Sequence, residues 1–241
     1  MSGRLEKQVT GGKSGAFPLP CYLLLLCLLT PPLAGLASLP LSAQDTGQAR
    51  DPQTGVRRDA WQRPAEVMDA LGVSAGSIVA DIGAGNGYFT FHLAARIGPS
   101  GRVYAVEIDK EALEKIQRRA HQERLRQIES VLGSSDDPHL PAETLDAALI
   151  VNAYHEMRDY NAMLVALYRA LKPGGRLGII DGAIESGEDR DTYFRRHRIP
   201  EELVREDAAR AGFRFLGRRP GFTRPRDARE FYFLVFTKPA P

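Results

Sequence analysis

The chain has 241 residues, 43% hydrophobic and 26% charged, enough for one α/β domain with a full core. Its formal charge of +2 is carried entirely by residues 1–43 (Arg4, Lys7 and Lys13 against Glu6), so the remainder is formally neutral and no broad nucleic-acid-binding surface is expected. The two cysteines, Cys21 and Cys27, also lie in that segment, which leaves the rest without a disulfide, a cysteine nucleophile or a thiolate metal site.

Residues 1–43 read as a targeting segment. A polar, basic stretch to Gly15 precedes an apolar run from Phe17 to Leu41, interrupted by Pro31, Pro32 and Pro40. That is the layout of a secretory signal peptide, with an uncleaved membrane anchor as the alternative. Residues 44–60 form a polar linker, and 61–241 the folded domain. Trp61-Gln62-Arg63-Pro64 opens a helix over Pro64–Leu71, with proline in the first turn. Trp61 reads as a packing residue.

Val79-Ala80-Asp81-Ile82 is a short apolar run suited to a buried parallel strand. Gly83, Gly85 and Gly87 follow at alternate positions, and then Tyr88, Phe89, Leu93 and Ala94 at helical spacing. Strand, glycine turn and helix together present backbone N–H groups and a helix N-terminus to a ligand. The dinucleotide fingerprint G-x-G-x-x-G is not matched, because Tyr88 stands where its third glycine would be. Arg102–Asp109 reads as a second strand ending in acid, with Glu107 placed to accept two ribose hydroxyls.

These two stretches resemble motifs I and II of the class I S-adenosylmethionine-dependent methyltransferases. The resemblance covers roughly residues 61–237, with motif I its most specific part. It implies an α/β fold: a Rossmann-like doubly wound, seven-stranded, mostly parallel sheet with the last strand antiparallel, in three α/β/α layers. It implies S-adenosyl-L-methionine as cofactor, held by Asp81, Gly83, Ala84, Gly85, Gly87, Tyr88, Glu107, Ile108 and Asn152. Such a domain needs its cofactor where it works, and this sits uneasily with export.

Lys110–Ile128 reads as an amphipathic helix and Glu129–Gly133 as a third strand. The family usually places an acid directly after that glycine to bind the adenine amino group. Here Ser134 stands there, which moves the adenine contacts to Ser135 and Asp136; an Asp/Ser turn satisfies the same residues. Leu145–Asn152 is the fourth strand, and it delivers Tyr154-His155-Glu156 to the sheet edge where open α/β sheets bind ligands.

Methyl transfer is an in-line displacement that needs alignment and, for a protonated nucleophile, a base. His155 is the candidate base, with Tyr154 or Glu156 orienting the acceptor; a purely structural His155 is the competing reading. No H-x-x-x-H or comparable ligand set appears, so no metal site is expected. Tyr160–Leu171 reads as a helix ended by Lys172-Pro173-Gly174-Gly175, and Arg176–Asp181 as a fifth strand. The insert Glu185–Arg198 mixes arginines with Tyr193 and Phe194. It reads as a solvated element because Glu185, Glu188, Asp189 and Asp191 are interleaved, with a grip on an anionic acceptor such as a lipid head group as the alternative. A last helix from Pro200 and strands at 213–217 and 231–236 close the domain.

The acceptor is expected to be a small molecule or lipid, with membrane association through the N-terminal segment. An NAD-dependent oxidoreductase and a non-catalytic nucleoside-binding scaffold are the rivals.

Overall fold

The computed structural model describes residues 58–240; the expectations for the targeting segment and for residues 44–57 lie outside them. Residues 58–62 are already helical, so the linker expected to reach 60 stops sooner. Among the described residues no helix is long and apolar enough to cross a membrane.

Seven strands run β1 (Ile78–Ile82), β2 (Arg102–Glu107), β3 (Ile128–Leu132), β4 (Leu145–Val151), β5 (Leu171–Gly182), β6 (Arg214–Arg224) and β7 (Arg229–Thr237). The helices are α1 (Pro64–Ala70), α2 (Tyr88–Ile97), α3 (Lys110–Gln122), α4 (Tyr160–Ala170), α5 (Arg190–Arg196) and α6 (Glu201–Arg210). The sheet order is β3-β2-β1-β4-β5-β7-β6. The first five strands pair in parallel, and β7 runs antiparallel to both of its neighbours. This is the expected seven-stranded, doubly wound sheet.

Side chains alternate across the strands, so both faces must be covered. Val79, Val103, Ala147 and Leu149 meet Val67 of α1, Leu71 just after it, and Leu93 and Ile97 of α2 on one face. Ala80, Val106, Ala148 and Ile150 meet Met163, Leu164 and Leu167 of α4 and Val204 and Ala208 of α6 on the other. Phe91 joins α2 to Ile116 of α3 over Ala105.

Three boundaries differ from expectation. The third helix stops at Gln122, six residues early. Arg124 turns left-handed (φ 57) and the Leu125 N–H bonds back to Ala120 at 2.8 Å, which frees Ile128 to open β3. Strand β5 begins at Leu171, and the Lys172–Gly175 turn becomes a shift of register against β4, between Leu145 and Ala147. Strand β6 runs to Arg224, well past Gly217, because β7 offers a long antiparallel partner.

The glycine turn between β1 and α2 separates two roles. Gly85 and Gly87 both have positive φ (53 and 77). A Cβ on Gly87 would lie 2.9 Å from the Phe91 ring, whereas one on Gly85 would meet nothing within 4 Å. Alanine at either site is therefore expected to cost about 1–3 kcal/mol of backbone strain. Gly87→Ala adds a clash of about 1–3 kcal/mol with the core. Urea denaturation of the two variants should rank Gly87→Ala below Gly85→Ala; the reverse order would remove the packing role given to Gly87.

Candidate active site

Strands β1, β2, β4 and β5 end along one edge, and each brings a polar side chain there. Asp81, at the end of β1, is buried, and its Oδ2 accepts the Thr90 hydroxyl of α2 at 2.6 Å. Burial pushes its carboxyl up to about 6, against the bonds from Thr90 and the nearby Arg58 cation, while Glu107 pushes the same way as burial. The Asp81–Thr90 bond ties the strand to the first turn of the helix across the glycine turn.

That turn packs onto β2. The Gly83 and Ala84 N–H groups donate to Val106 O at 2.9 and 3.0 Å, and a Cβ on Gly83 would lie 2.7 Å from that of Ala153. Glu107 then gathers three backbone donors. Gly85 N–H reaches Oε2 at 2.8 Å, and Ile108 and Asp109 N–H reach Oε1 at 2.8 and 3.2 Å. A carboxylate has about four acceptor sites, so Oε2 keeps room for an incoming hydroxyl. Ile108 beside it is 66% exposed and Leu132 at the end of β3 is 42% exposed, an apolar pair flanking the Glu107 carboxylate. Asn152 is exposed with φ 52, at the end of β4, its N–H held by Ile180 O at 2.7 Å.

Tyr88 starts α2, and its hydroxyl donates to Asp59, which also meets His92 Nε2 at 3.0 Å. The Arg58 guanidinium covers the Tyr88 ring 3.6 Å from its centroid. The helical turn at 58–62 is thereby pinned over the start of α2. Trp61 packs against Phe231, as expected of a packing residue. In the loop after β3, Ser135 Oγ donates to Asp159 Oδ2 at 2.6 Å, and Ser134 Oγ to Asp136 Oδ1 at 2.7 Å. The Ser134 bond holds the exposed Asp136 carboxyl below its usual value.

The turn after β4 divides its three candidates. Tyr154 faces the interior and donates to the buried Asp207 of α6 at 2.8 Å, where Arg190 and Arg210 also bind. Burial first, then the Asp207 charge, drives its pKa up. The expectation that Tyr154 orients an acceptor gives way to a packing role, because its hydroxyl is spent inside the core.

His155 faces the edge. Its Nδ1 lies 2.8 Å from Asp181 Oδ1, and its backbone N–H donates to Asp181 Oδ2 at 3.1 Å. Asp181, at the end of β5, is fully buried. Burial opposes the charged imidazole, yet the Asp181 bond and charge, with those of Glu156, outweigh it and raise the pKa of His155. Its Nε2 meets His197 Nδ1 at 3.3 Å and Glu156 Oε1 at 3.4 Å, and His197 Nδ1 meets Glu156 Oε1 at 3.3 Å. Sequence reading missed His197, which lies 42 residues from His155. It also missed the convergence of three possible ligand atoms, which no local spacing announces.

Two of the insert's four arginines pair with acids, Arg190 with Asp207 and Arg196 with Glu188, and Arg158 of the preceding turn pairs with Asp191. Tyr193 is nonetheless buried and His197 reaches His155, so the insert is not the purely solvated element expected. A cavity of about 610 Å³ opens beyond β5, lined by Glu185, Glu201, Glu202, Glu230 and Tyr232.

Residues 79–175 match a methyltransferase domain family. A demethylmenaquinone methyltransferase from Geobacillus sp. (strain WCH70) is 28% identical over 112 residues, 46% of this chain and 48% of that protein. The chain thus spans about half the length of the curated relatives it matches. A S-adenosylmethionine-dependent methyltransferase structure from Aquifex aeolicus superposes with a TM-score of 0.61 at 22% identity, covering 77% of this chain and 97% of that one. Phosphoethanolamine N-methyltransferase 2 from Haemonchus contortus, solved with S-adenosyl-L-methionine, gives 0.60 at 18% identity, over 74% and 53% of the two chains. These two likenesses establish the fold. Domain match, strand order and glycine turn agree: residues 79–175 match a methyltransferase domain, set in the fold that these S-adenosylmethionine-dependent methyltransferase structures share.

Proposed function

We propose that this chain transfers a methyl group from S-adenosyl-L-methionine to a small-molecule acceptor. The observation that carries the reading is the junction of Gly85 and Glu107, a bare backbone turn closed onto a carboxylate with open space above it. S-adenosyl-L-methionine supplies a methyl already activated by its sulfonium. Glu107 accepts a ribose hydroxyl at Oε2, Ile108 covers the adenine, and Ser135 and Asp136 meet its polar edge. Gly85 lets the ligand approach the backbone, Gly83, Ala84 and Gly87 shape the turn that presents it, and the buried charge of Asp81 faces the ligand's cationic end.

His155, fixed by Asp181 with its Nε2 outward, stands at the acceptor end beside Glu156 and removes the acceptor's proton. The curated relatives named for demethylmenaquinone make a quinol the first acceptor to try. For localisation, the basic flank and apolar run of residues 1–41 support export or membrane anchoring. Fractionation of cells expressing the full chain tests this, and recovery of the intact protein in the cytosolic fraction alone would refute it.

Calorimetry on the full chain is expected to show binding of S-adenosylmethionine and S-adenosylhomocysteine, with no response to NAD. Binding of NAD alone would overturn the methyltransferase reading, and binding of none would favour a scaffold. Glu107→Ala should weaken S-adenosylhomocysteine by about 1–3 kcal/mol, about 5- to 150-fold; an unchanged affinity removes the ribose role.

Asp81 gives a prediction with a fixed sign. Its folded pKa, near 6, lies above the ordinary 3.8, so the folded state holds the proton more tightly. Stability from this group is full below about pH 4 and is lost as pH rises through 6, by about 3 kcal/mol. Asp81→Asn should flatten that slope and raise the denaturation midpoint at pH 8, while weakening S-adenosylmethionine. A steeper or unchanged pH dependence contradicts the assignment.

A further inference from the structure

Three lone pairs converge at the carboxyl edge of the sheet. Asp181, buried on every side, takes the Nδ1–H of His155, so a neutral His155 turns a bare Nε2 outward. Glu156 Oε1 and His197 Nδ1 complete a triangle with edges of 3.3, 3.3 and 3.4 Å. As hydrogen bonds these contacts are poor. A charge-assisted N–H to carboxylate bond closes to about 2.7–2.9 Å, and both contacts to Glu156 stay well outside that.

The same edges fit atoms that share a cation. Ligands at about 2.0–2.1 Å from a tetrahedral zinc ion stand about 3.3–3.4 Å apart, whereas the cis ligands of an octahedral ion at that bond length lie about 3.0 Å apart.

The surroundings match a metal-ligating histidine. Such a histidine gives its other ring N–H to a carboxylate, which sets the tautomer and the ring plane, and Asp181 does this for His155. His197 is held toward the triangle by a left-handed backbone (φ 51) at the end of α5, a conformation that costs a non-glycine residue about 1–3 kcal/mol. The side chain of His155 is fully buried, while those of Glu156 and His197 are 54% and 58% exposed, so one side of the triangle opens to solvent. Three protein donors with an open fourth position is the pattern of catalytic rather than structural zinc.

We propose that His155 Nε2, Glu156 Oε1 and His197 Nδ1 bind a divalent transition-metal ion of the zinc class in tetrahedral geometry, with the fourth position open at the sheet edge. This revises the expectation from sequence that the chain has no metal site. Binding of the ion stands independently of the methyltransferase reading. Its use rests on that reading: a hydroxyl or thiol in the open position has its pKa lowered, and acceptor activation passes from the bare imidazole to the ion.

The test uses the untagged full chain, stripped with chelator and titrated with Co²⁺. Intense visible bands of four-coordinate cobalt are expected, bleached by one equivalent of Zn²⁺. His197→Ala and Glu156→Ala, both changes at exposed side chains, should abolish the bands although Cys21 and Cys27 remain. Asp181→Asn should weaken the metal about 10- to 100-fold. If that buried change prevents folding, the two exposed variants decide alone. Bands that survive both exposed substitutions, or no bands in the parent chain, overturn the proposal. S-adenosylhomocysteine calorimetry on the same samples separates the two readings. Intact adenosyl binding without cobalt bands sinks only the metal, and cobalt bands without adenosyl binding sink only the methyltransferase reading.

Discussion

A parallel sheet covered by helices on both faces has nowhere to do chemistry except at its strand ends. Here that constraint is severe, because the central strands are almost wholly buried: Val79 and Ala80 in β1, Ala148 to Ile150 in β4, Leu177 and Ile179 in β5. Asp81, Glu107, Asn152 and Asp181 all stand within one residue of the carboxyl ends of their strands. Two of them, Asp81 and Asp181, are nonetheless buried, so each must find a donor inside the protein. Thr90 serves the first, and His155 with the Gly182 N–H serves the second. Those bonds set the geometry of the edge, since each acid links its strand end to the segment that carries the next functional group.

The fold was legible in the sequence because its signals are local and agree with one another. Apolar runs, the glycine turn and the Lys172–Gly175 turn each mark a change of element, and the order of elements selects the sheet. Boundaries failed where a tertiary partner overrode a local signal. Ile128 extends the apolar stripe of a helix but bonds as a strand beside Val103, and β6 lengthens because β7 is there to pair with it. The place of Glu107 and Ile108 at a strand end was legible because a fixed count from the glycines leads to the next one. Tyr154 and His155 are adjacent in sequence and face opposite ways. Only the position of Asp207 on α6 shows that the tyrosine belongs to the core. His197 could not be found, since its place depends on how the insert folds back across β5, where Ile199 N–H bonds Gly182 O at 3.1 Å.

Two of the seven non-glycine residues with positive φ among the described residues lie along the same edge. Asn152 and His197 are non-glycine residues with positive φ, and each stands beside the groups assigned to ligand or acceptor. Such conformations persist where neighbours over-determine them. The Asn152 N–H is fixed by Ile180 O, and that of His197 by Phe194 O as the cap of α5. The rest of the fold therefore fixes the backbone at both positions before any ligand arrives, and that part of the ordering cost is met during folding rather than binding.

The two halves of the edge are built by different means. The half proposed for the methyl donor, around Gly83 to Gly87 and Glu107, is mostly backbone: N–H groups, missing Cβ atoms and one carboxylate. Its geometry depends on chain conformation, so it carries a compact sequence signature. The half proposed for the acceptor, around His155, Glu156, Asp181 and His197, is mostly side chain, drawn from the β4 turn, the end of β5 and the end of α5. A change of one residue there leaves the backbone intact while altering charge, lone pairs and reach. A fold arranged in this way can keep one methyl donor and exchange acceptors by substitutions that cost little stability, and its acceptor is correspondingly the property that sequence resemblance to other methyltransferases carries least well.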